Sequence, residues 1–519
     1  LIECFGTTAE LAIKAGYEAI ELHGAHGYLL TSFLSPFTNH RDDAWGGDMD
    51  RRLEFPRRVI QRVKQAIGDC PLSFRLSADE FTPKGNSAED MITISQKLES
   101  FGVDALHVSI GLGATSFDKI IEPMSMPEGW RLPYAKAIKA AVSVPVISVG
   151  QIRWPSTAEQ AIADESCDLI ALGRPLLADP NWANNAKNGR AIRPCTSCNY
   201  CVTLSDSELG HVGCAENPLT GRELQAKLDA GALRGKTAAI VGGGPGGMAA
   251  ALLLQEAGFN THLYETRNSL GGGLIASAAP PFKEKLNWYN TYLQEQLAAS
   301  NAVVYMNHAA DINELTALKP EIVLLANGGA ANAMNITGDQ HPHVLEAYTL
   351  LMGDGISLPP ADDGEMVVYG GGETGCETAE YLAERGYKVA LVSRSPTKKL
   401  ARSAEMIYRM VLLQRLHSNP LIRIIDNSEL HSIDASGFAT VRNTDSGETE
   451  HIASSRILIA QGRSPSEELA NQLQQANIAY ACIGDARRGG RIGDAVHDAY
   501  LTVQKLCNEH NAADATVNA

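Results

Sequence analysis

The chain has 519 residues, with 44 Lys and Arg against 60 Asp and Glu, a formal charge of −16 that argues against nucleic acid or an anionic membrane surface as a partner. This length suggests about three domains, and 44% apolar residues permit ordinary globular cores. No run approaches the roughly 18 apolar residues of a membrane span, and no signal peptide is visible. The chain starts at Leu1 in what reads as the lead-in to a helix, so residues are expected upstream.

Residues 1–190 alternate helix and strand. Helices are predicted near 5–15, 50–67, 88–100, 133–141 and 157–164. The strands predicted between and after them are Ala19–Leu22, Leu72–Leu76, Ala105–Ile110, Val144–Val149 and Asp168–Leu172. Strands separated by helices argue for a parallel α/β sheet. His23, Arg75, Ser109, Gly150 and Arg174 sit at or just past the strand ends, the face on which an eight-stranded barrel carries its chemistry. Five units cannot close such a barrel. Either the sheet is open or three more units precede Leu1.

Of ten cysteines, four form the series Cys195-x2-Cys198-x2-Cys201-x12-Cys214. Three thiols in one tight loop can wrap one face of a compact cluster and a distant fourth can close it, as Cys4 ligation of [4Fe–4S] requires. Zinc, which usually takes two separated pairs, and plain buried thiols are the alternatives. Pro194 and Pro218 flank the series and suit a ligand-bearing loop. The other six cysteines are scattered, so no disulfide framework is indicated and a reducing, cytoplasmic compartment is expected.

Two glycine motifs follow. Gly242-Gly-Gly244-Pro-Gly-Gly247 comes after an apolar strand and opens a helix, and Glu265 ends the next strand. Gly242 permits the tight turn, Gly244 the approach of a pyrophosphate and Gly247 close helix packing, while Glu265 can accept from ribose hydroxyls. The second copy is Gly370-Gly-Gly372-Glu-Thr-Gly375. Ser393, followed by Arg394, stands where Glu265 stands in the first, each 23 residues past its first glycine. A carboxylate there would repel a 2′-phosphate, whereas Ser and Arg can bind one, favouring NADPH over NADH. An exposed Arg with no ligand is the alternative. Near the C-terminus, Ile483-Gly484-Asp485 has the position of the Gly-Asp that closes on FAD in flavoproteins with two dinucleotide sites.

After the first strand comes His23-Gly-Ala-His26-Gly-Tyr28. Imidazoles can donate to a carbonyl oxygen and a phenol can deliver a proton. A metal site and packed loop histidines are competing readings of the same residues.

These motifs coincide with a known family. Residues 1–190 resemble the old yellow enzyme barrel from its fourth strand to its eighth. The resemblance is carried by His23-Gly-Ala-His26-Gly-Tyr28, Phe33-Leu-Ser-Pro and Asn39-His-Arg41 followed by Trp45-Gly46-Gly47. With the cysteines and two nucleotide motifs, nearly all of the chain resembles the longer branch that includes 2,4-dienoyl-CoA reductase, 2-enoate reductase and trimethylamine dehydrogenase. The resemblance implies part of a TIM barrel over 1–190 for FMN and an iron–sulfur segment over 191–234. It also implies an FAD domain over 235–363 and 441–519 and an NAD(P) domain over 364–440.

It further implies roles. Arg75 would lie by the flavin N1–C2 edge, and Gly150, Gly173 and Arg174 would hold the FMN phosphate. His23 and His26 would bind the activating oxygen of the substrate, and Tyr28 would protonate the α-carbon as flavin delivers hydride to the β-carbon. FAD would sit on Gly242, Gly244, Gly247, Glu265 and Asp485, and NADPH (or NADH) on Gly370, Gly372, Gly375, Ser393 and Arg394. Cys195, Cys198, Cys201 and Cys214 would hold the cluster, with electrons running from NADPH through FAD and [4Fe–4S] to FMN.

The substrate implied is a small unsaturated molecule: an enoate, enone or enoyl-CoA thioester. A homo-oligomer is compatible with this reading. The amine dehydrogenases of the branch have an aromatic residue where His23 stands and a carboxylate near Leu112, both lacking here, but their cysteine spacing matches. An N-methyl amine dehydrogenase or demethylase is therefore one alternative, and an NADPH diaphorase delivering electrons to a partner is another.

Overall fold

The computed structural model describes residues 1–205, 212–224, 228, 233–361 and 363–517. Parts of the expected iron–sulfur segment, 206–211, 225–227 and 229–232, thus lie outside the described residues. The chain forms two compact units, Leu1–Leu176 and Leu177–Ala519.

In the first unit, strands β1 (Ile20–Gly24), β2 (Leu72–Ser77), β3 (Ala105–Ser109), β4 (Val146–Val149) and β5 (Leu169–Ala171) form one parallel sheet in chain order. Sequential order with a helix between successive strands is the arrangement of a β/α barrel wall, and it differs from a doubly wound sheet, whose order reverses. The alternation of each strand divides the sheet into two faces. Leu22, Phe74, Leu76, Leu106 and Val108 pack against Val59, Ile60 and Val63 of the helix Met49–Ile67, and against Ile94, Leu98 and Ile138 of its successors. Each such side chain taken fully out of water contributes about 1.5–3 kcal/mol.

The helices start where the sequence supplies caps. Asp48 accepts from the Arg51 N–H, and Ser87 forms a capping box with Asp90, satisfying backbone donors that the first turn leaves without partners. The strands' alternate positions are polar: Glu21 and His23, then Ser73, Arg75 and Ser77, then His107 and Ser109. The first strand reaches Gly24 rather than stopping at Leu22, because His23 pairs with Arg75 in register. His23 is therefore a strand residue.

The second unit carries two nucleotide folds. The first is a parallel sheet of β6 (Thr237–Val241), β7 (Asn260–Tyr264), β8 (Val303–Tyr305), β9 (Ile322–Leu325) and a late strand, Tyr480–Cys482. Its order is Tyr480–Cys482, β9, β6, β7, β8. A ribbon pairs β10 (Gly329–Ala331) with Arg463–Pro465.

The second fold is built from β11 (Val344–Glu346), β12 (Glu365–Tyr369), β13 (Val389–Val392), β14 (Ile422–Ile425) and, after a three-stranded antiparallel layer, Ser454–Ile459. That layer is β15 (Ser428–Ile433), β16 (Ala439–Asn443) and β17 (Thr449–Ile452). The strand Ser454–Ile459 lies between β11 and β12 and pairs with both. This corrects the expected boundaries. Residues 344–346 and 441–459 belong with the second fold, and the chain returns to the first only after Ile459. The cause is packing: Leu430, Val441 and Ile452 of the antiparallel layer share a core with Val367, Ala390 and Val392 of the second sheet. Among the described residues no helix is long and apolar enough to cross a membrane.

Candidate active site and cofactor sites

His23, Arg75 and His107 form one row across β1, β2 and β3. Beyond β1 the chain turns sharply, with His26 at φ +66°. The turn is held from both ends of the residue. The His26 N–H donates to Ser77 Oγ at 2.9 Å, and His26 Nε2 lies 2.7 Å from Ser109 Oγ. The turn brings the rings of the motif together. His23 and His26 have centroids 5.1 Å apart at 66°, and His23 and Tyr28 are 5.0 Å apart at 45°. Tyr28 is 62% exposed.

Burial, followed by the nearby Arg75 charge, lowers both histidines, His26 to about 3. Both imidazoles are therefore neutral near pH 7. Burial also lowers Arg75, against the opposing attraction of Glu21, and the buried Arg75 Nε has no hydrogen-bond partner. A half-buried cation with an unused donor is suited to an anionic ring edge such as that of a reduced flavin. Glu21 accepts from Ser73 Oγ and lies 3.0 Å from His107 Nδ1.

At the far end of the sheet Glu122 is buried between two arginines, 2.6 Å from Arg131 and 2.7 Å from Arg174. Gly150 has φ +120°, and a Cβ there would run into the Arg131 side chain. Burial, then Arg174, Arg75 and Arg153, bring Arg131 down to about 10 against the pull of Glu122. Positive charge thus exceeds negative here, and open space surrounds the Gly173 Cα, which fits a phosphate. Gly150 and Arg174 meet through Arg131 and Glu122. Sequence reading missed Glu122, Arg131 and Arg153. The alternation of polar residues over β1–β3, by contrast, was a signal available in the sequence.

In the second unit the cysteine loop curls through Ser197 at φ +62° and Asn199 at φ +58°. Cys195 and Cys214 are buried, Cys198 and Cys201 are partly so, and no disulfide joins any of the described cysteines. Cys214 Sγ donates to Glu216 Oε2 at 3.1 Å. Burial, then the Glu216 charge, push the Cys198 and Cys214 thiols upward. Among the described residues no group of His, Cys, Asp and Glu converges as it would on a single metal ion. A four-iron cluster takes one thiolate per iron, so its ligands stand apart around a body, and four thiols in one buried neighbourhood fit that donor set.

Both glycine motifs form the expected strand–turn–helix. Gly242 has φ +108° and Gly370 has φ +143°, and a Cβ at either would strike a backbone carbonyl, of Ala326 or Ala460. Gly244 and Gly372 are the residues before the first helical turn. Gly247 and Gly375 press against the carbonyls of Gly242 and Gly370, leaving no room for a side chain. The two turns are therefore shaped cradles with helix N-termini that could face an anion, which fits dinucleotides. Glu265 Oε2 accepts from the Gly243 N–H at 2.7 Å. Asp485 accepts from the Gly490 N–H at 3.0 Å, and burial raises its pKa. In the second fold the Ser393 hydroxyl donates to the Ser395 carbonyl at 3.0 Å, closing its own turn. Arg394 is exposed and reaches Gln461 Oε1 at 3.2 Å.

A barrel wall with a polar row, joined in one chain to two nucleotide folds, defines a flavin-dependent oxidoreductase that uses a pyridine nucleotide. Residues 1–193 match the NADH:flavin oxidoreductase / NADH oxidase family, and residues 236–484 match the pyridine nucleotide-disulphide oxidoreductases. An NADH oxidase of Thermoanaerobacter brockii is 38% identical over 98% of this chain and 77% of its own length. A cinnamate reductase of Clostridium sporogenes is 30% identical over 97% of this chain and 77% of its own. The solved complex of 2-naphthoyl-CoA reductase with 2-naphthoyl-CoA has the same fold, with TM-score 0.89 and 24% identity over 97% of this chain and 76% of that one. The chain belongs to the NADH:flavin oxidoreductase / NADH oxidase family, in the multidomain branch that resembles old yellow enzyme.

Proposed function

We propose that the protein reduces activated C=C bonds, in enoates, enones or enoyl thioesters, with NADPH as the electron source. The observation that carries this reading is the meeting of His23, His26 and Tyr28 in one group of ring contacts, with Arg75 beside His23 in register. When bound, FMN, FAD and a [4Fe–4S] cluster supply the redox chemistry that brings two electrons from the nicotinamide to the β-carbon as hydride.

The protein's own residues do the rest. His23 and His26, neutral and therefore each with one N–H, donate to the carbonyl or carboxyl oxygen and draw electron density from the alkene. Tyr28 gives its proton to the α-carbon and regains one from solvent, to which it is exposed. Arg75 would hold the flavin's anionic edge, and Gly150, Gly173 and Arg174, with Arg131 beside them, its phosphate. Gly242, Gly244, Gly247, Glu265 and Asp485 would hold FAD. Gly370, Gly372, Gly375 and Arg394 would hold NADPH, with Ser393 shaping the turn that presents Arg394. Cys195, Cys198, Cys201 and Cys214 would hold the cluster. Cysteines outside any disulfide suit a reducing, cytoplasmic setting. Support comes from the relative named for cinnamate, an α,β-unsaturated carboxylate.

The test is anaerobic stopped-flow on NADPH-reduced protein mixed with enoates, enones and enoyl-CoA thioesters, following flavin absorbance. Rapid reoxidation by one class is expected. Reoxidation by none, with bleaching of oxidised protein by an N-methyl amine, would overturn the proposal in favour of amine oxidation. NADPH turnover with artificial acceptors alone would identify a diaphorase.

A further inference from the structure

The cysteine segment is fastened to the first nucleotide fold by the opening turns of the helix Ile492–Val517. Gly493 lies flat against it: a Cβ there would stand 2.9 Å from the Tyr200 ring and 3.1 Å from the Ala215 Cα. The Tyr200 hydroxyl donates to Asp494 Oδ1 at 3.4 Å. Four residues after Gly493, on the same helix face, His497 is buried and its Nε2 lies 2.8 Å from the Cys214 carbonyl oxygen. His497 Nδ1 lies 3.2 Å from Arg222 Nη1. A guanidinium can only donate, so Nδ1 accepts, and the ring proton sits on Nε2, where it is given to the Cys214 carbonyl. The other side of the same turn belongs to the nucleotide site. Ala495 meets Gly246 of the glycine loop, where a Cβ would stand 3.2 Å away, and Gly484 just before Asp485, where it would stand 2.8 Å away.

We propose that His497 is a positioning residue for the iron–sulfur cluster, fixing the Cys214 backbone so that the remote fourth thiolate is in place. This rests on the cluster reading above. Cys195, Cys198 and Cys201 lie within seven residues, the last of them in the helix Tyr200–Ser205. Cys214 arrives on a separate arm, with 12 residues between it and Cys201, and that arm is held by several contacts. Tyr289 donates to the Glu216 carbonyl at 3.3 Å, Arg222 to the Pro218 carbonyl at 2.6 Å and Thr220 to the Leu177 carbonyl at 2.6 Å. His497 is the one of these four donors that acts on the ligand residue itself. Because the turn also abuts the glycine loop and Gly484, it sets the spacing between the two redox sites as well.

The experiment measures iron, acid-labile sulfide and bound FAD per chain on anaerobically purified protein, with EPR of the oxidised sample. The unaltered protein should hold about four irons and be EPR-silent when oxidised. His497→Leu keeps a packed wall but removes the donor. It should fall to about three irons and show the EPR signal of a three-iron cluster while FAD content is unchanged. His497→Gln offers an amide N–H and should restore the four-iron state. Four irons in His497→Leu, or equal loss in His497→Gln, would overturn the positioning role. Absence of iron and sulfide from the unaltered protein would sink the cluster reading and this inference with it. If His497→Leu does not fold, Arg222→Met frees the imidazole from its partner and should lose iron in part; full retention there would overturn the proposal.

Discussion

His26 Nε2 lies 2.7 Å from Ser109 Oγ, which ties the loop leaving β1 to the end of β3, two strands away. Because the His26 backbone N–H is also bound, by Ser77 Oγ at 2.9 Å, neither the loop nor the ring is free to swing. His26 is therefore held in place by the sheet, and under the proposed function this would lower the ordering cost of binding.

The same burial gives a dependence on pH. His26 in the folded protein resists protonation until about 3, from an ordinary 6.5. The unfolded chain takes up this proton near 6.5, so between these values the unfolded state binds more protons and the folded state loses stability as pH falls. His26→Asn should flatten the fall of Tm over that range. An unchanged slope in calorimetry would rule out His26 as its source.

Tyr28→Phe should slow alkene reduction by roughly 10²-fold or more while NADPH still reduces the flavins at the native rate. Tyr28 is exposed, so stability should shift by no more than about 0.5 kcal/mol. Single-turnover kinetics separate the two half-reactions, and native-rate reoxidation would remove Tyr28 as the proton donor.

Glu122→Gln would leave the buried Arg131 and the half-buried Arg174 guanidiniums without this counter-charge. Breaking a buried pair from one side costs about 3–5 kcal/mol, so denaturant unfolding should show a loss of that order. Added FMN should return part of it, because its phosphate supplies negative charge. A neutral substitution would show that solvent already screens the cluster.

Arg394→Ser should raise KM for NADPH about tenfold, the worth of one charge-assisted hydrogen bond, and leave KM for NADH unchanged. Equal effects on both nucleotides would mean that Arg394 does not read the 2′-phosphate.

The nucleotide turns were legible because their geometry admits few residues: Gly242 and Gly370 face carbonyls that exclude any Cβ. The order of the first five strands was legible for a similar reason, since each apolar run is local and helices separate them. What depended on distant partners was not. His23 became a strand residue through its pairing with Arg75, a relationship invisible in a run that loses its apolar character after Leu22. The strand Ser454–Ile459 could have served either nucleotide fold, and only its insertion between β11 and β12 decides the matter. Glu122 and Arg131 lie among other charges in a stretch without periodicity, and their pairing with each other and with Arg174 is a tertiary contact. The His497–Cys214 bond joins residues too far apart in sequence for any spacing rule to connect them.

The first sheet separates two burdens that many enzymes load onto the same side chains. Its apolar face, with Leu22, Phe74, Leu76, Leu106 and Val108 under the helices, holds the wall together. The opposite face carries His23, Arg75 and His107 in one row. Under the proposed function, a change at His23 would alter the contacts offered on that face while leaving the apolar seam behind it in place.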